Sequence, residues 1–312
     1  MTYRFAIAAA LLASTAPATA GKPGTTTFEP ELAYTLLTGS NEVHLTDATG
    51  TKSVTVYSVR QNIRIDLAPR TQHQIVISEL NTLKLLTYSV DSTGVKTVSV
   101  VPIYNAGAEQ ISFVDFSPDG TKIAFSQGFA KLMVLDLANP SAPPVLWATD
   151  PVYVGSVAWY KGGSAIAYIG SGSSDVFELT APGATPVHLL HDTQIDMIDA
   201  SRTDPDALVV TYNRPGPQGP RAALWKAGAY LNDSLAGNVF TDFATLNCDD
   251  SKLVYGTPDT KGQLIWYIRS LPNGPSTLYT KTLRVHNTQF VPTCPAAAAQ
   301  TNDAFTFRVP PR

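Results

Sequence analysis

Phe113-Val114-Asp115-Phe116-Ser117-Pro118-Asp119-Gly120-Thr121-Lys122-Ile123-Ala124-Phe125-Ser126 reads as two short strands joined by a tight turn. Pro118 presets φ for the first corner of a type I turn, Asp119 tolerates the second, and Gly120 supplies the left-handed residue that keeps the strands paired. β-branched and aromatic residues fill Ile111 to Phe116 before the turn and recur from Lys122 to Ser126 after it, which is strand composition. A third run, Leu132 to Leu137, follows at once, then a Pro-rich turn from Asn139 to Pro144 and a fourth run, Val145-Leu146-Trp147. Four short antiparallel strands in about forty residues make one blade of a β-propeller.

Self-similarity at a fixed period tests that reading. With the second strands aligned, Ile75, Ile123, Ile166, Leu208 and Leu253 are equivalent, at intervals of 48, 43, 42 and 45 residues. This is the length of a four-stranded blade. An earlier member, Glu31-Leu32-Ala33-Tyr34, sits 43 residues before Ile75 and has no strand ahead of it. Gln289-Phe290-Val291-Pro292 falls where a first strand is due, so pairing of the chain ends would supply the missing strand and remove exposed sheet edges. The expected fold is all-β: a six-bladed propeller of four-stranded antiparallel blades, closed by N- and C-terminal strands. Seven blades is the alternative, since the run Ala304 to Val309 could start a further blade.

Composition agrees. Thirteen Tyr, 12 Phe, 23 Pro and 21 Gly suit many short strands and turns, and no window beyond the N-terminus has helical periodicity. A net charge of −3 without a Lys/Arg cluster leaves no electrostatic footprint for nucleic acid. Residues 1–20 read as a signal peptide, with Arg4 at the positive start, Phe5 to Ala13 as the apolar core and Ala18-Thr19-Ala20 as the cleavage site. Residues 21–312 are then a single exported domain, periplasmic or secreted, with no transmembrane segment and expected as a monomer. The two cysteines, Cys248 and Cys294, both fall in the turn between first and second strands of neighbouring blades. In an oxidising compartment a disulfide there is favoured over two free thiols.

The Ser117 to Phe125 segment, followed by Leu132-Met133-Val134-Leu135-Asp136-Leu137, resembles the TolB-type, WD40-like propeller repeat: a Ser-Pro-Asp-Gly turn, a strand, and a strand ending near Asp. Leu32 to Gly50 resembles the second half of the same repeat. In other blades the turn has diverged to Tyr160-Lys161-Gly162-Gly163, Arg202-Thr203-Asp204-Pro205-Asp206 and Cys248-Asp249-Asp250-Ser251. The resemblance implies an exported six-bladed propeller. TolB carries an α/β domain ahead of its propeller and works in an envelope complex; about ten residues separate the expected cleavage site from the first strand here, so neither that domain nor TolB's partners and site residues carry over.

A recurring acid is the strongest candidate for chemistry. Asp66, Asp115, Asp199 and Asp242 fall at or near one place in the innermost strand of four blades, and blade four has Ala158 there. Four carboxylates converging on a central channel would bind a divalent cation through hard oxygen ligands. The favoured alternative is structural, each Asp accepting hydrogen bonds from backbone N–H groups of a neighbouring turn. No cofactor is otherwise indicated.

Other candidates are weaker. His188 and His191 are three residues apart in an expected fourth strand, which puts them on opposite faces and denies them a common metal. His44, His73 and His286 are scattered among blades. Gly170-Ser171-Gly172-Ser173-Ser174 reads as a hairpin turn, lacking the Lys and helix of a phosphate loop. The insert Arg214 to Pro220 lengthens the loop between second and third strands of blade five and is a candidate contact surface. Trp159, Trp225 and Trp266 could stack on a small ligand, although packing between blades is favoured.

With no nucleophile and base pair legible, the first expectation is a protein-binding or scaffold module of the bacterial cell envelope, its partners envelope proteins. A lyase or hydrolase acting on carbohydrate or peptide through the channel carboxylates is the alternative, and a small-ligand binder a third.

Overall fold

The computed structural model describes residues 30–290 apart from short stretches at 38–39, 48–52, 70–71, 93, 214–219, 233, 238–240, 242, 259–263, 275 and 281–284. Its strands form six four-stranded antiparallel sheets. Five are each built from four consecutive strands. The sixth pairs Val285–Phe290 with Pro30–Leu37, which continues into Asn41–Asp47 and Ser53–Val59. We number this closing sheet blade 1 and the others 2 to 6 in chain order. The run Ala304 to Val309, on which a seventh blade would depend, lies outside the described residues.

The hairpin that decided the fold is formed by Ile111–Phe116 and Lys122–Gln127, and the next two strands are Lys131–Asp136 and Val145–Thr149. Gly120 has φ +67, as the turn requires. Asp119 does more than tolerate its corner: its carboxylate accepts from the Ser117 hydroxyl at 2.6 Å and from the Thr121 N–H at 3.0 Å. The bare Cα of Gly120 also admits Gln72 of the preceding blade, whose amide donates to the Asp119 carbonyl at 3.0 Å.

Second strands are buried on both faces, and their period of two divides residues by size. Ile75 and Ile77, Ile123 and Phe125, Ile166 and Tyr168, and Leu208 and Tyr212 face the preceding blade, while Val76, Ala124, Ala167 and Val209 face the following one. Large side chains thus meet small ones across each seam.

Register between first and second strands defines one equivalent residue per inner strand. Asp66 opposes Val76, Asp115 opposes Ala124, Ala158 opposes Ala167, Asp199 opposes Val209, Thr245 opposes Val254 and Gln289 opposes Ala33. In blade 6 the equivalent residue is therefore Thr245. Asp242 precedes the inner strand Phe243–Leu246 and lies outside the described residues.

Third and fourth strands pair with a register irregularity in all six blades. In blade 4 it corrects the histidine expectation. Asp175 opposes His191 and Val176 opposes Leu190, but Phe177 opposes His188, so Leu189 is the extra residue of a bulge. The bulge turns His188 and His191 to the same side of the sheet, where both reach Asp175.

Candidate functional site

Inner strands direct alternate side chains at the axis. Arg64, Phe113, Ser156, Met197 and Phe243, each two residues before the equivalent position, line a waist with a cavity of about 30 Å³. The Arg64 guanidinium lies 5.8 Å from the Phe113 ring centre and 5.9 Å from that of Phe243, a cation–π arrangement. Burial draws its pKa below the ordinary value. The waist separates two mouths of different chemistry.

One mouth, ringed by turns between first and second strands, holds a cavity of about 170 Å³ lined by Asp66, Asp115, Lys161 and Arg202. Each channel carboxylate reaches across a blade seam. Asp66 accepts the Phe116 N–H at 2.6 Å, Asp115 the Trp159 N–H at 2.6 Å, and Asp199 the Leu246 N–H at 3.1 Å together with the Thr245 hydroxyl at 2.6 Å. In every case the backbone donor follows the equivalent position of the next blade, and Thr245 is that position itself.

Arg202, which did not figure among the sequence candidates, is the counter-ion of this group. Its guanidinium donates to Asp199 Oδ1 at 2.9 Å, and although burial opposes its charge, Asp199, Asp115 and Asp66 hold its pKa above the ordinary value. Its turn is clamped by Asp250 of blade 6, which accepts the Arg202 N–H at 2.9 Å and the Thr203 N–H at 2.9 Å. A basic residue three places after a channel Asp was the one signal in the sequence. The three described carboxylates are thus committed to backbone donors and to a resident guanidinium.

Burial pushes the Asp66 carboxyl up to about 6, against the pull of the Phe116 N–H and Arg202, and raises Asp115 with help from the Asp66 charge. The two titrate as a pair. A carboxyl raised in the folded state binds its proton more tightly there than in the unfolded chain, so its contribution to stability is complete below about 4 and is lost as pH rises through about 6. Asp119 runs the other way: the Ser117 hydroxyl holds it below the ordinary range, and its contribution is lost under more acid conditions. The urea midpoint is accordingly expected to be higher at pH 5 than at pH 7.5, with Asp66→Asn shrinking the difference. A midpoint that climbs steadily from pH 5 to pH 7.5 contradicts this.

The opposite mouth is wider, a cup of about 400 Å³ lined by Asn41, Asn62, Ser78, Gln110, Phe129 and Tyr153 among others. Its rim carries turns between second and third strands. The Phe129 and Tyr153 rings stack with centres 6.3 Å apart. The three tryptophans considered for ligand stacking are buried. The insert 214–219, which joins Ala207–Asn213 to Pro220–Lys226, lies outside the described residues, as does Cys294 of the expected disulfide.

No protein-family model matches the chain, and no curated protein matches its sequence. Solved structures do. TolB from Acinetobacter baumannii superimposes with a TM-score of 0.68 at 16% identity, covering 85% of this chain and 67% of that one. The fold is a TolB-like propeller. A putative TolB from Agrobacterium tumefaciens gives a TM-score of 0.57 at 15% identity over 81% of this chain and 88% of its own. A chain of the nidogen/laminin complex gives 0.62 at 11% identity over 85% and 99%. Among the described residues no helix is long and apolar enough to cross a membrane.

Proposed function

We propose that this TolB-like propeller is an exported module of the cell envelope that binds a protein partner through the rim of its wider mouth. The observation that carries the reading is the backbone of two exposed apolar residues. Leu80 and Phe129, 48% and 41% exposed, hold φ of +52 and +57. Both occupy the same turn in successive blades, and their carbonyls accept the Ile111 and Val154 N–H groups across the seam, each at 2.6 Å. In blade 4 the corresponding acceptor is Ser173, with φ +74.

The seam bond demands a left-handed residue, for which Gly or Asn is suited, whereas other side chains cost roughly 1–2 kcal/mol. Leu and Phe incur that cost and also expose apolar surface. Val152, 68% exposed, lies in the loop that also bears Tyr153. Strained, exposed apolar side chains around a polar cup suit a covering partner. The presence of the same fold in the nidogen/laminin complex accords with a role in protein assembly. Export rests on the leader-like residues 1–20 and on the Cys248–Cys294 bridge, which we propose on the equivalence of their turns; no described cysteine is a free thiol.

Cross-linking in the native envelope followed by mass spectrometry tests the reading. The parent protein is expected to capture a reproducible partner through the Leu80 and Phe129 rim. Leu80→Asn with Phe129→Asn is expected to abolish capture while Tm stays within a few degrees, since relief of about 1 kcal/mol of strain at each site offsets lost partial burial. Undiminished capture by the folded double variant defeats the proposal.

A further inference from the structure

We infer that Asp175, His188 and His191 form a binding site for a divalent transition-metal ion of the zinc class on the outer half of blade 4. Asp175 begins the third strand, Asp175–Leu179, and both histidines belong to the fourth, Val187–His191. In a regular strand a spacing of three would divide the imidazoles between two faces. The bulge at Leu189 instead places them on one face while Leu190 stays in the core. Nε2 of His188 and Nδ1 of His191 each lie 2.8 Å from Oδ1 of Asp175. One ligand atom from each residue falls within 4.8 Å of the others.

Two imidazole nitrogens and one carboxylate oxygen suit zinc, copper(II) or nickel, and not calcium or magnesium, which take oxygen ligands. The supporting contacts are in place. The Ser174 hydroxyl shares its proton between the Ser171 carbonyl at 2.9 Å and Asp175 Oδ2 at 3.1 Å and leaves Oδ1 to the site, an outer contact of the kind that orients a ligating carboxylate. The Phe177 ring stands edge-on to His188 with centres 5.5 Å apart. The imidazoles are 51% and 68% exposed, so an ion has open entry and retains positions for water or an external ligand. Bound metal would tie the third strand to the fourth at the rim of the blade.

Equilibrium dialysis of the purified protein, without a histidine tag, against zinc chloride tests the site, with copper(II) as a spectroscopic probe. One equivalent of zinc is expected, with His188→Ala and His191→Ala each weakening binding at least tenfold and His44→Ala, on blade 1, leaving it unchanged. The copper(II) EPR spectrum is expected to show coupling to two nitrogens in the parent and to one in either single variant. Because both imidazoles are exposed, these variants retain the fold, which circular dichroism verifies. Absence of a saturable zinc equivalent, or binding that His188→Ala and His191→Ala leave intact, overturns the inference.

Discussion

Asp199→Ala is expected to lower the free energy of unfolding by roughly 3–5 kcal/mol, the loss typical when one partner of a buried ion pair is removed. Asp199 is buried and carries three contacts: the Leu246 N–H, the Thr245 hydroxyl and the Arg202 guanidinium. Its deletion removes the acceptor of the Leu246 N–H and one partner of the Thr245 hydroxyl, and leaves the buried Arg202 charge with the more weakly acting Asp115, Asp66 and Asp250. Asp199→Asn keeps an acceptor but not the charge, and is expected to fall between parent and Ala. Urea unfolding measures both. A loss below about 1 kcal/mol for the Ala variant would show that these carboxylates do not hold the blades together. The seam after Ala158 explains how one blade manages without an Asp: there the Tyr160 hydroxyl donates to the Asp206 carbonyl at 2.8 Å and the Lys161 N–H to the Pro205 carbonyl at 3.0 Å.

Reduction of the proposed Cys248–Cys294 bridge is the second large effect. Closing a loop of about 45 residues removes enough unfolded-chain entropy to contribute about 4 kcal/mol in the loop-entropy model. Blade 6, which carries Cys248, borders blade 1, whose inner strand Val285–Phe290 ends shortly before Cys294. The bridge would therefore staple the seam where the ring closes. Dithiothreitol is expected to depress Tm markedly, and Cys248→Ser to reproduce the depression without reductant. Two titratable thiols in protein denatured without reductant would dispose of the bridge.

The period of the second strands was legible because it is written in buried residues. Ile75, Ile123, Ile166, Leu208 and Leu253 are all inaccessible to solvent, and a position so enclosed admits few side chains. Blade count and terminal closure followed from that spacing. The channel group was legible only in part. Asp66, Asp115 and Asp199 share a register, but grouping Asp242 with them by its nearness in sequence passed over Thr245, which holds the equivalent place in the short inner strand Phe243–Leu246. Arg202 left only the local trace of a basic residue three places after a channel Asp, since its role depends on carboxylates from three blades and no local pattern records that convergence. The histidine pair was misread because alternation assumes an unbroken strand, and Leu189 breaks it without any Gly or Pro to announce the bulge.

Pairing of Pro30–Leu37 with Val285–Phe290 also sets the order of events during synthesis. Blades 2 to 6 can each be completed by residues that leave the ribosome close together, but the first blade waits for a segment made some 250 residues later. Through that interval Pro30–Leu37 offers a bare hydrogen-bonding edge, the kind of surface that recruits other nascent chains. Ring closure is thus the longest-range strand pairing among the described residues and, by the cost of closing so large a loop, is expected to be the slowest of them. A chain released before residue 285 holds five finished blades and one open flank, which makes it a substrate for chaperones and proteases.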